Sequence, residues 1–379
     1  MKKKILITYA PYGSGHKSMA QNIYNYFNDF SDYEIKLLDI AKYSNFLGRF
    51  TIKAFDLIIK KRFHKTFNFI YDVANNKVAC LNQMKNMKRL FDNDKLRGEI
   101  VDFNPDIVIS THFAGSNITS YYNKLGLTNA NIMTVVTDFV THSYWYKDHK
   151  SQDAFIVANE IVKNVMIKKG VDSEKIYAFG LPFDRKKMDS VAPKEEIYLK
   201  YNIDATKKTY LFFGGGTAGS IKNFDYFKAL VKKNYPINLI FVSGKNKELE
   251  EKCRRFVLQE HISNVTVLGF VTDVYSLLNV TDVVITKPGG ATLTECIDMR
   301  VPMILIPGNG GPEKYNAKYI AHKKYGVKVI GAWGMCRAVG KQLNNPSIIS
   351  KWQENLAKNT KNESTRKILE LTNKLLDKK

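Results

Sequence analysis

The chain is poor in the residues that staple small secreted folds or hold structural metals. Its 379 residues include only four cysteines, Cys80, Cys253, Cys296 and Cys336, far apart and without a C-x-x-C pair. Zinc and a disulfide framework are therefore not expected, and a reducing cytoplasm fits. Long hydrophobic runs are scarce too. No stretch approaches the ~18 apolar residues of a spanning helix. The run Ile5-Leu6-Ile7 behind Lys2-Lys3-Lys4 is too short for the core of a signal peptide. A membrane role would have to be peripheral. Acidic residues are the third shortage: 36 Asp and Glu face 58 Lys and Arg, a net charge of +22 with a basic excess in both halves. Such a balance favours an anionic partner, be it nucleic acid, phosphorylated substrate or acidic lipid. A compositional bias toward Lys, Asn and Ile is the competing explanation. No nucleic-acid-binding module is recognisable, so none is expected as a partner.

A chain of this length exceeds what one core usually serves, so two domains are expected. Short apolar runs alternate with helical patterns: Ile5–Tyr9, Ile107–Ser110, Ile132–Val136, Ala154–Val157 and Ile176–Phe179, then Tyr210–Phe213, Asn238–Val242, Val265–Leu268, Val283–Thr286, Met303–Ile306 and Val327–Ile330. Rich in Ile, Val and Phe with little alternation, they read as strands of parallel sheets buried on both faces, joined by helices. The Pro- and charge-rich stretch Leu181–Ile203 holds no strand and marks the linker. The expected domains are residues 1–185 and 186–345. The tail 346–379 carries Ile349, Trp352 and Leu356, then Ile368, Leu371 and Leu375, at helical spacing.

Three Gly-rich turns follow strands. Pro11 to Ser18 (PYGSGHKS) matches neither the complete G-x-G-x-x-G fingerprint nor the P-loop, so a tight turn without a ligand competes with a ligand-binding loop. Gly214 to Ser220 (GGGTAGS) places four glycines within six residues, a backbone-entropy cost that fits close approach to a ligand. In Thr286 to Glu295 (TKPGGATLTE) a strand ends, a Pro-Gly-Gly turn follows and a helix begins near Ala291 and Thr292. Free amide groups there suit a diphosphate. Glu295, one turn in, can accept from a ribose diol or simply complement the helix dipole.

These turns, with THF at Thr111–Phe113, VVTDFVTHSYWY at Val135–Tyr146, FGLPF at Phe179–Phe183, VSGKN at Val242–Asn246, GFV at Gly269–Val271 and GGPEKYNA at Gly310–Ala317, resemble the family 28 glycosyltransferases. The likeness is greatest to diacylglycerol glucosyltransferases and monogalactosyldiacylglycerol synthases. It implies an α/β GT-B fold: two facing Rossmann-like domains with a cleft, acceptor on the N-terminal one, UDP-sugar on the C-terminal one, the last helix crossing back. It further implies uracil against Phe270 and Val271 and ribose on Glu295. Diphosphate would lie on Gly215, Gly216 and the turn Pro288, Gly289, Gly290, Ala291 and Thr292, and the donor sugar on Glu313 and Asn316. Thr217 and Gly244 join the donor side. The chain departs from the family at Pro312, where Gln is usual; proline offers no side-chain amide to a sugar hydroxyl.

His16, beside the first turn, corresponds to the family's proposed base, and imidazole titrates in the right range for that work. A histidine capping the helix is the plainer alternative. Asp138 could orient base or acceptor. His112 and His142, also just past strands, can equally be structural hydrogen-bonding residues. Gly15, His142 and Trp145 are expected on the acceptor side. Asp92-Asn93-Asp94 resembles a D-x-D metal motif but lies in a charged stretch that reads as a solvated turn. No metal or other cofactor is expected, since helix dipoles and Lys can carry the diphosphate charge. From Phe46 to Lys60 a stripe including Phe46, Phe50 and Leu57 opposes Arg49, Lys53 and Lys60. That pattern suits either an anionic bilayer or packing on the domain.

The expected activity is inverting transfer of a hexose, glucose before galactose, from UDP-glucose or UDP-galactose to diacylglycerol. It would occur on anionic phospholipid at the cytoplasmic face of the cell membrane. Two alternatives stand beside it: an N-acetylglucosamine transferase acting on the undecaprenyl-linked peptidoglycan precursor, and a UDP-sugar-sensing membrane-binding protein. A UDP-N-acetylglucosamine 2-epimerase would share the fold.

Overall fold

The computed structural model describes residues 2–10, 14–43, 92–214, 221–308, 310–359 and 362–378, with backbone only at Ser14, Ile221 and Lys222. They form two compact units. One takes Met1–Asp184, Gly310–Pro312 and Asn362–Lys379, the other Arg185–Asn309 and Glu313–Lys361. Among the described residues no helix is long and apolar enough to cross a membrane.

The first unit is built on a six-stranded parallel sheet ordered β2-β1-β3-β4-β5-β6. Its strands are β1 (Lys4–Tyr9), β2 (Glu34–Asp39), β3 (Ile107–Ser110), β4 (Asn131–Val135), β5 (Ala154–Ile156) and β6 (Ile176–Tyr177). Successive residues of β1 face opposite sides. Ile5, Ile7 and Tyr9 pack with Ile23 and Phe27 of the helix Ser14–Phe30, and Leu6 packs with Ile100, Ile118 and Tyr122. This two-sided burial explains why the strands read as unbroken apolar runs. The helix Ser364–Asp377 completes the first face through Ile368, Leu371 and Leu376. It is tied down where Ser364 and Thr365 donate to the Leu181 and Phe183 carbonyls at 2.8 and 3.0 Å. The tail is thus two helices with different homes, because Ile349 of the helix Ser347–Ala357 belongs to the second unit's core.

The second sheet is also parallel, ordered β12-β11-β10-β7-β8-β9. Its strands are β7 (Lys208–Phe213), β8 (Ile237–Val242), β9 (Val265–Leu268), β10 (Val283–Thr286), β11 (Met303–Leu305) and β12 (Gly326–Lys328). Phe212, Phe227, Phe241 and Phe256 pack edge-to-face and tilted in its core, with centroids 4.6 to 6.5 Å apart. Both orders reverse once, between β1 and β3 and between β7 and β10. In open parallel sheets, ligands bind outside the carboxyl ends of the strands at such a reversal.

Candidate active site

In the first unit the reversal is bridged by His16. Placed in the first turn of the helix after β1, its Nδ1 lies 2.7 Å from the Thr111 carbonyl oxygen beyond β3 and 3.0 Å from Thr137 Oγ1 beyond β4. A carbonyl oxygen only accepts, so Nδ1 bears the proton and Nε2 keeps the lone pair. Thr111 Oγ1 donates in turn to the His16 carbonyl at 2.9 Å. The ring therefore bonds to neighbouring strand ends and does not cap its own helix. Burial pushes its pKa down to about 4, partly offset by the Thr111 bond, which keeps the imidazole neutral near pH 7.

The other two candidate histidines behave differently. The Nδ1 atoms of His112 and His142 accept from the Ala114 and Tyr144 amides, both at 3.3 Å, so each caps the helix that follows it. Both rings are buried. His112 stands edge-on to His16 with centroids 5.0 Å apart, and Trp145, also buried, lies 6.1 Å from His16. Asp138, half-buried, directly follows Thr137. At Gly15 an added Cβ would meet none of the described residues within 4 Å.

The second unit's reversal is flanked by Gly214 and by the Pro288-Gly289-Gly290 turn. An added Cβ on Gly214 would come within 2.6 Å of the Phe241 ring, so the strand end itself requires glycine. Gly289 opens the helix Gly290–Asp298. Leu293 makes the first return bond to Gly289, at 3.0 Å, leaving the amides of Gly290, Ala291 and Thr292 ahead of the intrahelical ladder. Behind the turn, the buried Asn316 amide donates to the Pro288 carbonyl at 3.2 Å, and Lys287 Nζ meets Glu313 Oε1 at 2.5 Å. Asn316 and Glu313 thus brace the turn in this structure. Pro312 starts the helix Pro312–His322, where its fixed φ and missing amide suit the first helical position.

Glu295, one turn into the helix Gly290–Asp298, has its carboxyl pushed up to about 7. Burial is the main cause, opposed by Lys187 and reinforced by Asp298. At the ends of β8 and β9, Gly244 takes the left-handed φ of +64°. Phe270 is 61% exposed with Lys245 Nζ 5.0 Å from its ring centroid. Val271 is half-buried.

Gly215, Gly216, Thr217, Phe46, Arg49, Phe50, Lys53, Leu57 and Lys60 lie outside the described residues, as does Cys80. Cys253, Cys296 and Cys336 are buried thiols. Asn93 caps the helix Asp94–Val101, and Asp92 Oδ1 accepts from Arg97 at 3.0 Å and Tyr122 at 3.1 Å, so Asp92-Asn93-Asp94 serves a helix start. Thr111, Thr137 and Lys287 were not singled out from the sequence. Their position immediately past a strand, at the edge that bears the glycine turns, was the available signal.

Two six-stranded parallel sheets, each reversing once and flanked by helices, define an α/β fold of two Rossmann-like units. The monogalactosyldiacylglycerol (MGDG) synthase family matches residues 16–183, and the glycosyltransferase family 28 C-terminal domain matches residues 211–368. A processive diacylglycerol beta-glucosyltransferase from Bacillus pumilus is 31% identical over 335 residues, 86% of this chain and 83% of the relative. Among solved structures, MurG from Acinetobacter baumannii superposes with a TM-score of 0.58 at 12% identity, covering 98% of this chain and 99% of that one. UDP-GlcNAc 2-epimerase from Neisseria meningitidis, bound to UDP-GlcNAc, does so at 0.61 and 12%, covering 98% and 100%. The fold is of the GT-B class. The chain belongs to the family 28 glycosyltransferases, in the group of diacylglycerol glucosyltransferases and monogalactosyldiacylglycerol synthases, and is a UDP-sugar-dependent hexosyltransferase.

Proposed function

We propose that the protein transfers glucose, with inversion, from UDP-glucose to the free hydroxyl of diacylglycerol, working peripherally on anionic phospholipid at the cytoplasmic face of the cell membrane. The observation that carries this reading is the state of His16: a neutral ring at a sheet reversal, its Nδ1 proton committed to the Thr111 carbonyl and its lone pair on Nε2. That is the form required to take the proton from an acceptor hydroxyl as it attacks the anomeric carbon. As the new bond forms, the bond to UDP breaks on the opposite face, and the proton resides on His16. Asp138 is assigned to steady the resulting imidazolium, with Thr137 holding the ring.

On the donor side, Phe270 and Val271 take the uracil, Glu295 accepts from the ribose diol, and the amides of Gly290, Ala291 and Thr292 receive the diphosphate. Gly244 is assigned to the same side, and the sequence motif alone assigns Gly215, Gly216 and Thr217 to it. Glu313 and Asn316 act on the sugar and on the turn beneath it. Helix amides supply positive potential for the leaving UDP, so the proposed reaction calls for no metal ion. Gly15, His142 and Trp145 belong to the acceptor side. The relatives' diacylglycerol and glucose support the choice of acceptor and hexose. The test is to offer UDP-glucose, UDP-galactose and UDP-N-acetylglucosamine with diacylglycerol in mixed micelles, reading products by mass spectrometry. Glucosyl-diacylglycerol is the expected product. Transfer only from UDP-N-acetylglucosamine, or none to this lipid, would overturn the reading.

A further inference from the structure

One surface of the second unit plays no part in the reaction as described. β12 forms an edge of that sheet, and the chain leaves it through Ile330 and the left-handed Gly331 (φ +70°) into the helix Gly331–Asn344. Ile330 is 81% exposed and Trp333 is 71% exposed. Single exposed apolar side chains are common on soluble proteins. Here two large ones stand three residues apart, one of them an indole, on a helix start whose inner residues Met335, Cys336 and Val339 are buried. The outward stripe continues at four-residue steps through Arg337 and Lys341, both exposed. The Arg337 guanidinium lies 5.3 Å from the Trp333 ring centroid.

Along this part of the chain the charge is of one sign. From Lys314 to Gln353, forty residues carry eight Lys and Arg and no Asp or Glu. On the helix Ile221–Lys232, which packs against this one, exposed Asp225 is balanced by exposed Lys228. A second copy of the chain would bring the same positive field to the patch and be repelled by it. A bilayer presents the complementary chemistry. Indole settles at the headgroup level, Ile reaches the upper acyl chains, and Arg and Lys meet lipid phosphates.

We infer that Ile330, Trp333, Arg337 and Lys341 form a docking patch for anionic phospholipid on the second unit. β12 pairs with β11 and β11 with β10, all parallel, so Ile330 and Trp333, which follow β12 directly, leave the sheet at the same carboxyl edge as the Pro288-Gly289-Gly290 turn. Lipid contact there brings the donor-loading edge to the surface where a lipid acceptor resides. The inference rests on the reading of the protein as a lipid glycosyltransferase and adds a second-unit anchor to it.

The test is flotation of the full chain with vesicles rich in phosphatidylglycerol and with phosphatidylcholine alone, beside quenching of tryptophan fluorescence by lipids brominated high on the acyl chain. Wild type floats preferentially with the anionic vesicles. Arg337→Glu with Lys341→Glu lowers partitioning by more than about tenfold, following the worth of a basic residue near such a surface. Trp333→Ala lowers it several-fold, and Trp333→Phe removes the quenched component. Equal flotation of these variants and wild type, quenching unchanged in Trp333→Phe, or no flotation of wild type would overturn the patch. Transfer to detergent-dispersed diacylglycerol, run in parallel, separates the two claims. Activity retained by non-floating variants supports the patch, whereas a wild type that glycosylates no diacylglycerol refutes the acceptor assignment whatever the flotation shows.

Discussion

Glu295 allows the donor site to be tested by pH alone. Its carboxyl is pushed up to about 7, chiefly by desolvation, with Lys187 opposing the rise and Asp298 adding to it. The ribose diol donates hydrogen bonds, so the carboxylate is the binding form, and near neutrality only about half of the free enzyme holds it. The apparent affinity for UDP-glucose therefore weakens roughly tenfold from pH 8 to pH 6, with proton release on binding. Glu295→Gln keeps one acceptor oxygen but no charge. It should bind more weakly by roughly 1.5–3 kcal/mol at pH 8 and show no such slope. Stability runs the other way. A carboxyl raised in the fold favours the folded state most below its ordinary value of 4.5, and that contribution is lost as the pH rises through about 7. Glu295→Gln should accordingly melt higher than wild type at pH 8 while binding donor less well. Calorimetry with UDP-glucose in two buffers of different ionisation heat, paired with melting curves, reads both effects. A flat wild-type affinity between pH 6 and 8, or the same slope in the Gln variant, would refute the assignment.

Asn316→Leu removes the donor to the Pro288 carbonyl and should cost roughly 1–3 kcal/mol of stability. It should also raise KM for the UDP-sugar more than it lowers kcat, as steady-state kinetics would show. Gly308→Ala puts a Cβ 2.1 Å from Glu313 Oε2, so Glu313 must leave Lys287; a raised donor KM in a protein of near-normal melting temperature is expected. Gly326→Ala meets backbone, with Cβ 1.9 Å from the Met303 carbonyl oxygen, and should lower the melting temperature by an amount equivalent to roughly 1–3 kcal/mol or more.

Both sheets were legible as apolar runs because their central strands are buried on two faces. β2 was not. As an edge strand with sequence EIKLLD it buries only Leu38, so charged residues interrupt the pattern. The glycine-rich segments stood out in the sequence by their backbone cost and by the helix starts behind them. Which histidine does what could not. His16, His112 and His142 all follow strands, and only the fold shows two of them accepting from backbone amides while the third donates to a strand end 95 residues away. The pairing of Lys287 with Glu313 spans 26 residues and involves no periodicity, so it too emerges only with the fold.

The claim at the centre of this account is that His16 takes the acceptor proton during transfer of a hexose to lipid. It is tested most directly by single-turnover transfer from UDP-glucose carrying carbon-13 in the sugar to diacylglycerol, in wild type and His16→Ala. The account predicts labelled glucosyl-diacylglycerol from wild type. In the variant the rate should fall by ~10²–10⁴-fold while UDP-glucose affinity is nearly unchanged. Full turnover by a His16→Ala protein that is merely less stable, or label that never reaches the lipid in wild type, would contradict it.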